Sequence, residues 1–298
     1  MTRRMTRLEA AETRAAWLFL APSLFLFVMF VALPVLAAFG ISFTNWDLFT
    51  APHFTGFQNY SDLILHDVLF HKVLVNTLLY VGGTVPLQML LALGIALLLN
   101  RGVWGETVLR IIYFLPVVSS TVAVALVWSW IFNSNFGVLN ALLSALGVQQ
   151  PPVWLGSTHT ALFALVIVAI WQGLGYSMVL FLAGLQNIPQ DVYEAGALDG
   201  AVGWKKHLHL TFPLLSPTTF FVTVVSLIGS FQVFDLAFVM TKGGPANATN
   251  TIVYYVYQNA FEFYRMGYAS AAAMILFAIV LLLTLFQYRL QHRWVHYD

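Results

Sequence analysis

Residues 111–190 read IIYFLPVVSSTVAVALVWSWIFNSNFGVLNALLSALGVQQPPVWLGSTHTALFALVIVAIWQGLGYSMVLFLAGLQNIPQ, 80 positions without Asp, Glu, Lys or Arg. A membrane-spanning helix needs about 20 apolar residues. Eighty is too many for one span, and the stretch carries two breaks. Asn133-Ser134-Asn135-Phe136-Gly137 and Gln149-Gln150-Pro151-Pro152 hold the Asn, Gly and Pro residues of turns. The stretch therefore predicts two spans, at 108–132 and 160–185. Between them, residues 136–147 read as a short amphipathic helix.

Outward from this stretch, residues 15–46, 73–100, 207–234 and 266–288 are also uncharged. They predict spans at 16–43, 74–99, 213–240 and 269–288, which brings the total to six. The expected fold is all-α: a polytopic membrane protein with residues 1–298 forming one transmembrane domain. Composition agrees, with 60% hydrophobic and 8% charged residues against roughly 25% charged in a soluble domain. A soluble enzyme is excluded on that ground. Lys plus Arg (13) nearly cancels Asp plus Glu (12), so no basic patch exists for nucleic acid. The 25 Phe, 12 Tyr and 9 Trp exclude disorder.

Several chemistries lack their residues. Cysteine is absent, which removes disulfides, thiolate metal ligands and thiol nucleophiles. His53, His66, His71 and His159 share no i, i+4 spacing, so no metal site is expected. No G-x-x-x-x-G-K-[ST], H-E-x-x-H or G-x-S-x-G motif occurs. No catalytic residue is assigned and no cofactor is expected on this chain.

Charge placement sets the orientation. Six spans put both termini on one side. That side holds Arg3, Arg4, Arg7, Arg14, Arg101, Arg110, Lys205, Lys206, Arg289 and Arg293, and the other holds Lys72, Lys242 and Arg265. Positive charge concentrates on the cytoplasmic side, so both termini are expected there. The first apolar stretch is about twice the length of a signal-peptide core, so it is read as a retained membrane helix rather than a cleaved leader.

The loop at residues 187–213 is the most highly charged of the loops between spans, with Asp191, Glu194, Asp199, Lys205 and Lys206. Pro189 suits a first helical turn. Asp191 and Glu194 lie near that N-terminus, where negative charge is favoured. Val192, Ala195, Leu198 and Ala201 form an i, i+3 apolar stripe, small at Ala195 and Gly196. Gly200 marks a helix stop, and a second short helix runs from Trp204 toward Leu210, ended by Pro213. These features alone leave two readings open. The helix lies on its own membrane domain, or it projects and docks on a partner.

The loop resembles the "EAA" loop of ABC-importer permeases, carried here by Glu194-Ala195-Gly196, Gly200, Leu210 and Phe212-Pro213. Gly196 and His207 depart from the usual Ala and Phe. Asn76-Thr77-Leu78, Phe114-Leu115-Pro116, residues 181–189 and Gly243-Gly244-Pro245 look like carbohydrate-type permeases of that family. Ser42-Phe43-Thr44-Asn45-Trp46 and Phe234-Asp235 look like its maltose/glycerol-phosphate "first permease" type. The resemblance implies a type I ABC importer permease fold in a bacterial inner membrane. It implies a second homologous permease, two ATPase subunits that hold ATP and Mg, and a periplasmic or lipid-anchored substrate-binding protein. It also implies that Glu194, Ala195, Gly196, Leu198, Asp199, Gly200 and Ala201 contact the ATPase.

Polar residues inside spans are the candidates for substrate. Asp235 is the one acidic residue within a span, and Gln232, three residues earlier, is expected on the same helical face. Ser230, the pair Gln172 and Tyr176, and Asn76 complete the set. Phe231, Phe234, Tyr176 and Trp171 are available as apolar walls for a sugar ring. Apart from Arg110 at the very start of the third, no Lys or Arg lies within a span, which favours a neutral saccharide over glycerol phosphate. The competing reading is a secondary transporter or channel that uses no ATPase.

Overall fold

The computed structural model describes residues 7–292 and Val295. Arg3, Arg4 and Arg293, used above for orientation, lie outside the described residues, as do the side chains of Arg7 and Arg14. The chain is helical, with one two-stranded hairpin among the described residues.

Helix α1 (Arg7–Phe27) runs through a π-turn at Val28–Ala32 into α2 (Leu33–Ile41). Its apolar portion, Ala15–Ile41, has no fully buried residue in its most apolar stretch, and α2 touches the last helix of the chain through partly buried residues such as Ala38 and Ile41. Strands β1 (Thr44–Asn45) and β2 (His53–Phe54) pair antiparallel, Thr44 opposite Phe54. After α3 (Gln58–Ser61) and a π-turn at Asp62–His66 comes α4 (Val68–Leu99). It starts six residues earlier than the hydropathy alone predicts because Asp67 caps it: the carboxylate accepts the Phe70 N–H at 2.8 Å.

Helices α5 (Glu106–Val118) and α6 (Thr121–Ile131) correct the expectation of one straight span at 108–132. They meet at 100°. Ser119 (ψ 146°) and Ser120 (ψ 126°) are both extended, so the helical hydrogen-bond ladder stops there. Pro116, just upstream, has no N–H to contribute. Helix α7 (Val138–Ala145) is the expected amphipathic segment. The turn before it is closed by the Asn133 side chain, which accepts the Asn135 and Phe136 N–H groups.

Helix α8 (Ala161–Gln186) matches the expected fourth span within a residue at each end. Its packing on α4 is the most extensive helix contact of the molecule. It also crosses α5 closely at Gly175, where a Cβ would run into the Tyr113 carbonyl. The loop helices are α9 (Gln190–Leu198), α10 (Trp204–Lys206) and α11 (Phe212–Leu214), the last two joined by a π-turn at His207–Thr211. Pro213 therefore does not end the second loop helix; it sits in the first turn of α11. The bend, 65°, falls beyond it, before α12 (Ser216–Phe231).

The fifth span differs most from the expectation of a continuous helix at 213–240. It stops at Phe231, Val233 and Phe234 are non-helical, and helix resumes at Asp235 into a π-turn at Ala237–Thr241. The Thr251 hydroxyl donates to the freed Val233 carbonyl at 3.0 Å. Non-helical backbone at membrane depth persists where such partners satisfy it or where it lines a cavity. Helix α13 (Ile252–Tyr257) leads through a π-turn at Gln258–Glu262 to α14 (Met266–Gln291).

By length and hydropathy, four helices can cross a membrane, or six spans if each bent pair counts as one. Buried side chains form three clusters. The middle one joins α4, α6, α8 and the 231–240 segment through residues such as Val85, Val124, Leu165 and Leu236. A second gathers Leu99, Phe181 and Leu215 at the loop end of the bundle. The third gathers Phe70, Ile252 and Tyr268 at the opposite end.

Candidate functional site

The break in the fifth span opens onto a cavity of about 310 Å³. Five of the six sequence-nominated residues line it: Gln172 and Tyr176 from α8, Ser230 from α12, and Gln232 and Asp235 on either side of the break. The i, i+3 argument for the last two fails, because no helix joins them; the break itself brings both to the cavity. Neither the Gln232 amide nor the Asp235 carboxylate has a hydrogen-bond partner among the described residues, whereas Gln172 Nε2 donates to Thr121 Oγ1 at 3.0 Å. Asp235 is the one charged residue of the lining.

Asn76 is not brought there. Its Nδ2 donates to the Asn247 and Asn250 carbonyls at 2.8 and 3.0 Å, pinning residues 242–251 onto α4. Lys72 Nζ donates to the Ala246 carbonyl of the same segment. Of the nominated aromatic walls, Phe234 and Tyr176 line the cavity. Phe231 is buried in the core, and Trp171 packs edge-on against Trp128.

Sequence reading missed Tyr80, Thr84 and Gln88, which line the same cavity. Their i, i+4, i+8 spacing put a polar line on one face of the second span, a signal that was available. Gln88 is held by the Gly173 carbonyl and the Ser177 hydroxyl. Thr84 Oγ1 is buried with no hydrogen-bond partner among the described residues.

The loop at 187–213 forms the second candidate region. α9 ends in a left-handed Gly200 (φ 84°). The Ala201 N–H reaches back to the Gly196 carbonyl and the Gly200 N–H to the Ala197 carbonyl, which is a Schellman cap. The predicted apolar stripe is not buried on its own chain. Val192 and Ala201 are half-buried, Ala195 is exposed, and Leu198 is 90% exposed. The inward face runs instead through Tyr193 and Gly196. Gly196 lies against Leu210 with no room for a Cβ. Glu194 and Asp199 stay exposed. The His207 ring is half-buried against Trp204 and Phe212. Burial lowers the proton affinity of His207, and the charges of Lys206 and Arg101 lower it further.

At the opposite end, Asp67 Oδ2 accepts the hydroxyls of Tyr255 and Tyr268 at 2.6 and 2.7 Å. One carboxylate thereby fastens α4 to α13 and α14. Burial pushes its proton affinity up, but these hydroxyls and the Phe70 and Leu69 N–H groups outweigh that and leave it lowered.

Residues 88–296 match the family described as "Binding-protein-dependent transport system inner membrane component". Among curated relatives, a probable ABC transporter permease protein, YesP of Bacillus subtilis, is 38% identical, covering 96% of this chain and 93% of the relative. The arabinooligosaccharides transport system permease protein AraP of Bacillus subtilis is 33% identical over 94% and 89% of the two chains. The sn-glycerol-3-phosphate transport system permease protein UgpA of Brucella abortus is 36% identical over 94% and 95%. Among solved structures, a bacterial ABC transporter that imports the acidic polysaccharide alginate contains a chain with the same fold (TM-score 0.82, 23% identity, 97% of this chain and 99% of that one). The chain therefore belongs to the inner-membrane permeases of binding-protein-dependent ABC transport systems.

Proposed function

We propose that this permease moves a neutral saccharide or oligosaccharide into the cytoplasm, using the cavity at the fifth-span break as its part of the path. The observation that carries this reading is the convergence of Gln172, Tyr176, Ser230, Gln232 and Asp235 on one open cavity, with the Gln232 and Asp235 side chains free of hydrogen-bond partners among the described residues. Amides and a carboxylate bind sugar hydroxyls, and Tyr176 and Phe234 supply apolar faces for a ring. A lining whose one charge is a carboxylate repels phosphate, which weighs against the substrate named for the glycerol-phosphate relative. Arabino-oligosaccharides, named for AraP, support a neutral saccharide.

In this reading both termini and the 187–213 loop are cytoplasmic. Arg101 and Lys206, assigned to one face from sequence, line a common cavity, and Lys72 of the other face reaches Ala246. That grouping supports the assignment. Glu194, Ala195, Leu198, Asp199, Gly200 and Ala201 form the contact with a separate ATPase subunit, where ATP and Mg are bound and ATP is hydrolysed, and buried Gly196 seats that helix on its own domain. Exposed Leu198 gives that contact an apolar knob, and the Schellman cap with the Gly196–Leu210 contact makes the helix a stiff lever. A second permease completes the path, and a binding protein delivers substrate from outside. Alternation between inward- and outward-open states then follows ATPase closure.

The test reconstitutes the chain with its co-purifying subunits and binding protein and follows labelled oligosaccharide uptake. Asp235→Asn and Gln232→Ala are expected to lower uptake while leaving complex assembly intact. Wild-type uptake in both variants would remove the cavity from the path.

A further inference from the structure

A second cavity, about 550 Å³, lies where the end of α4 meets the loop. Leu97, Asn100 and Arg101 form one wall, and Tyr193, Trp204, Lys206 and His207 form the other. Three of these groups carry or accept positive charge. Lys206 Nζ stands 4.1 Å from the centre of the Tyr193 ring, and among the described residues no carboxylate pairs with Lys206 or Arg101. Glu194 lines the adjoining cavity with Tyr193 and Lys206. Behind the cations, Tyr193 OH reaches Thr211 Oγ1 at 3.4 Å, and Thr211 Oγ1 reaches His207 Nδ1 at 3.3 Å. These hydrogen bonds are long, so the hydroxyls and imidazole hold capacity for a closer acceptor.

We propose that this cavity binds a phosphate group, supplied by the headgroup of an anionic phospholipid of the cytoplasmic leaflet, clamped by Arg101 and Lys206 between α4 and the loop. Basic pockets at the cytoplasmic ends of helices take anionic headgroups in this way. The wall decides between a lipid and a soluble phosphate. Leu97 lies in the last turns of a membrane helix, and Trp204 is 64% exposed beside the cations. Together they offer acyl chains an apolar exit and an interfacial aromatic anchor. The headgroup would neutralise two unpaired cations and tie the loop to α4.

The inference rests on the proposed cytoplasmic placement of the loop, and that placement has its own check. The chain contains no cysteine, so Trp104→Cys gives a single label site on the same face. An impermeant maleimide should label it only in inside-out vesicles. The lipid test is done on the purified complex in detergent and does not depend on sidedness, so the two failures are distinguishable.

Native mass spectrometry would compare retained phosphatidylglycerol and phosphatidylcholine, added in equal amounts. The wild type should favour phosphatidylglycerol roughly tenfold, as expected for two cations near a headgroup. Arg101→Gln with Lys206→Gln should abolish that preference, and Lys206→Gln alone should weaken it, while Lys205→Gln, the same single loss of charge one residue away, should keep it. A wild type without preference, or a double variant that retains it, would overturn the proposal. In a second arm, calorimetric titration of lipid-free complex with inorganic phosphate should give no heat that depends on Arg101 and Lys206. Saturable heat that disappears in the double variant would make a soluble phosphate the occupant and overturn the lipid assignment.

Discussion

Leu210 occupies the space in which a Cβ on residue 196 would stand. Gly196 is the sole buried residue of α9, so this contact fixes how the helix sits on its own domain. Leu198, two residues on, points away and is 90% exposed. One helix thus has a locked face and an open face, which suits the proposed role of carrying a push from an ATPase into the bundle.

Filling the locked face should uncouple the lever. Gly196→Leu is expected to cost about 1–3 kcal/mol through overpacking and to abolish uptake while the protein still inserts. Pairing it with Leu210→Ala should restore part of the uptake, because the second change clears the space. Uptake assays beside membrane-fraction immunoblots separate coupling from insertion.

Gly200 has open space around its Cα but a left-handed backbone (φ 84°). Gly200→Val should therefore act through strain alone, at about 1–2 kcal/mol, and loosen the Schellman cap. Transport is expected to fall more than thermal stability. Glu194→Lys, which alters charge on the exposed side without touching the cap, should also reduce uptake. Its ATPase rate should no longer respond to the substrate-loaded binding protein.

At the cavity proposed for substrate, Asp235→Asn keeps size and removes charge. A hydrogen bond to a charged group contributes about 1.5–3 kcal/mol, so apparent affinity for the transported sugar should weaken by roughly tenfold or more. Asn76→Ala should behave differently. Asn76 pins residues 242–251, and its loss should lower the melting temperature. Concentration-dependent uptake and thermal unfolding, measured on both variants, distinguish these outcomes.

The Asp67 clamp gives a pH dependence with a definite sign. Its proton affinity is lowered in the folded protein, below the ordinary carboxylate value of 3.8. The unfolded chain therefore binds the proton more readily over the window between the folded value and 3.8. The stabilisation is fully present above that window and is lost as pH falls through it. Tyr255→Phe with Tyr268→Phe removes two hydroxyl donors and should flatten the acid limb of a melting-temperature profile. An unchanged acid limb would show that the clamp does not contribute.

Hydropathy made the spans legible because membrane helices are long and apolar, and α8 falls within a residue of its expected ends. It could not show the bends. The Ser119-Ser120 break is written in two small polar residues that a hydropathy sum passes over, and the Phe231 break carries no Pro at all. Its freed Val233 carbonyl is satisfied by Thr251, a partner 18 positions away that no local pattern reveals. The cavity lining was largely legible for a simple reason: polar side chains inside apolar stretches have few places to go. Asn76 fits that logic too but satisfies a loop. In α9 the pattern marked the apolar stripe, yet which face is buried depended on Leu210 meeting Gly196.

The most direct test of the account is uptake by the purified complex in sealed proteoliposomes supplied with its loaded binding protein. The account predicts that an ATPase and a second permease co-purify with this chain, and that labelled oligosaccharide enters only with ATP on the loop side. Gly196→Leu should stop entry. Isolation of this chain as a stable homodimer that transports the sugar without ATP or partner subunits would contradict it.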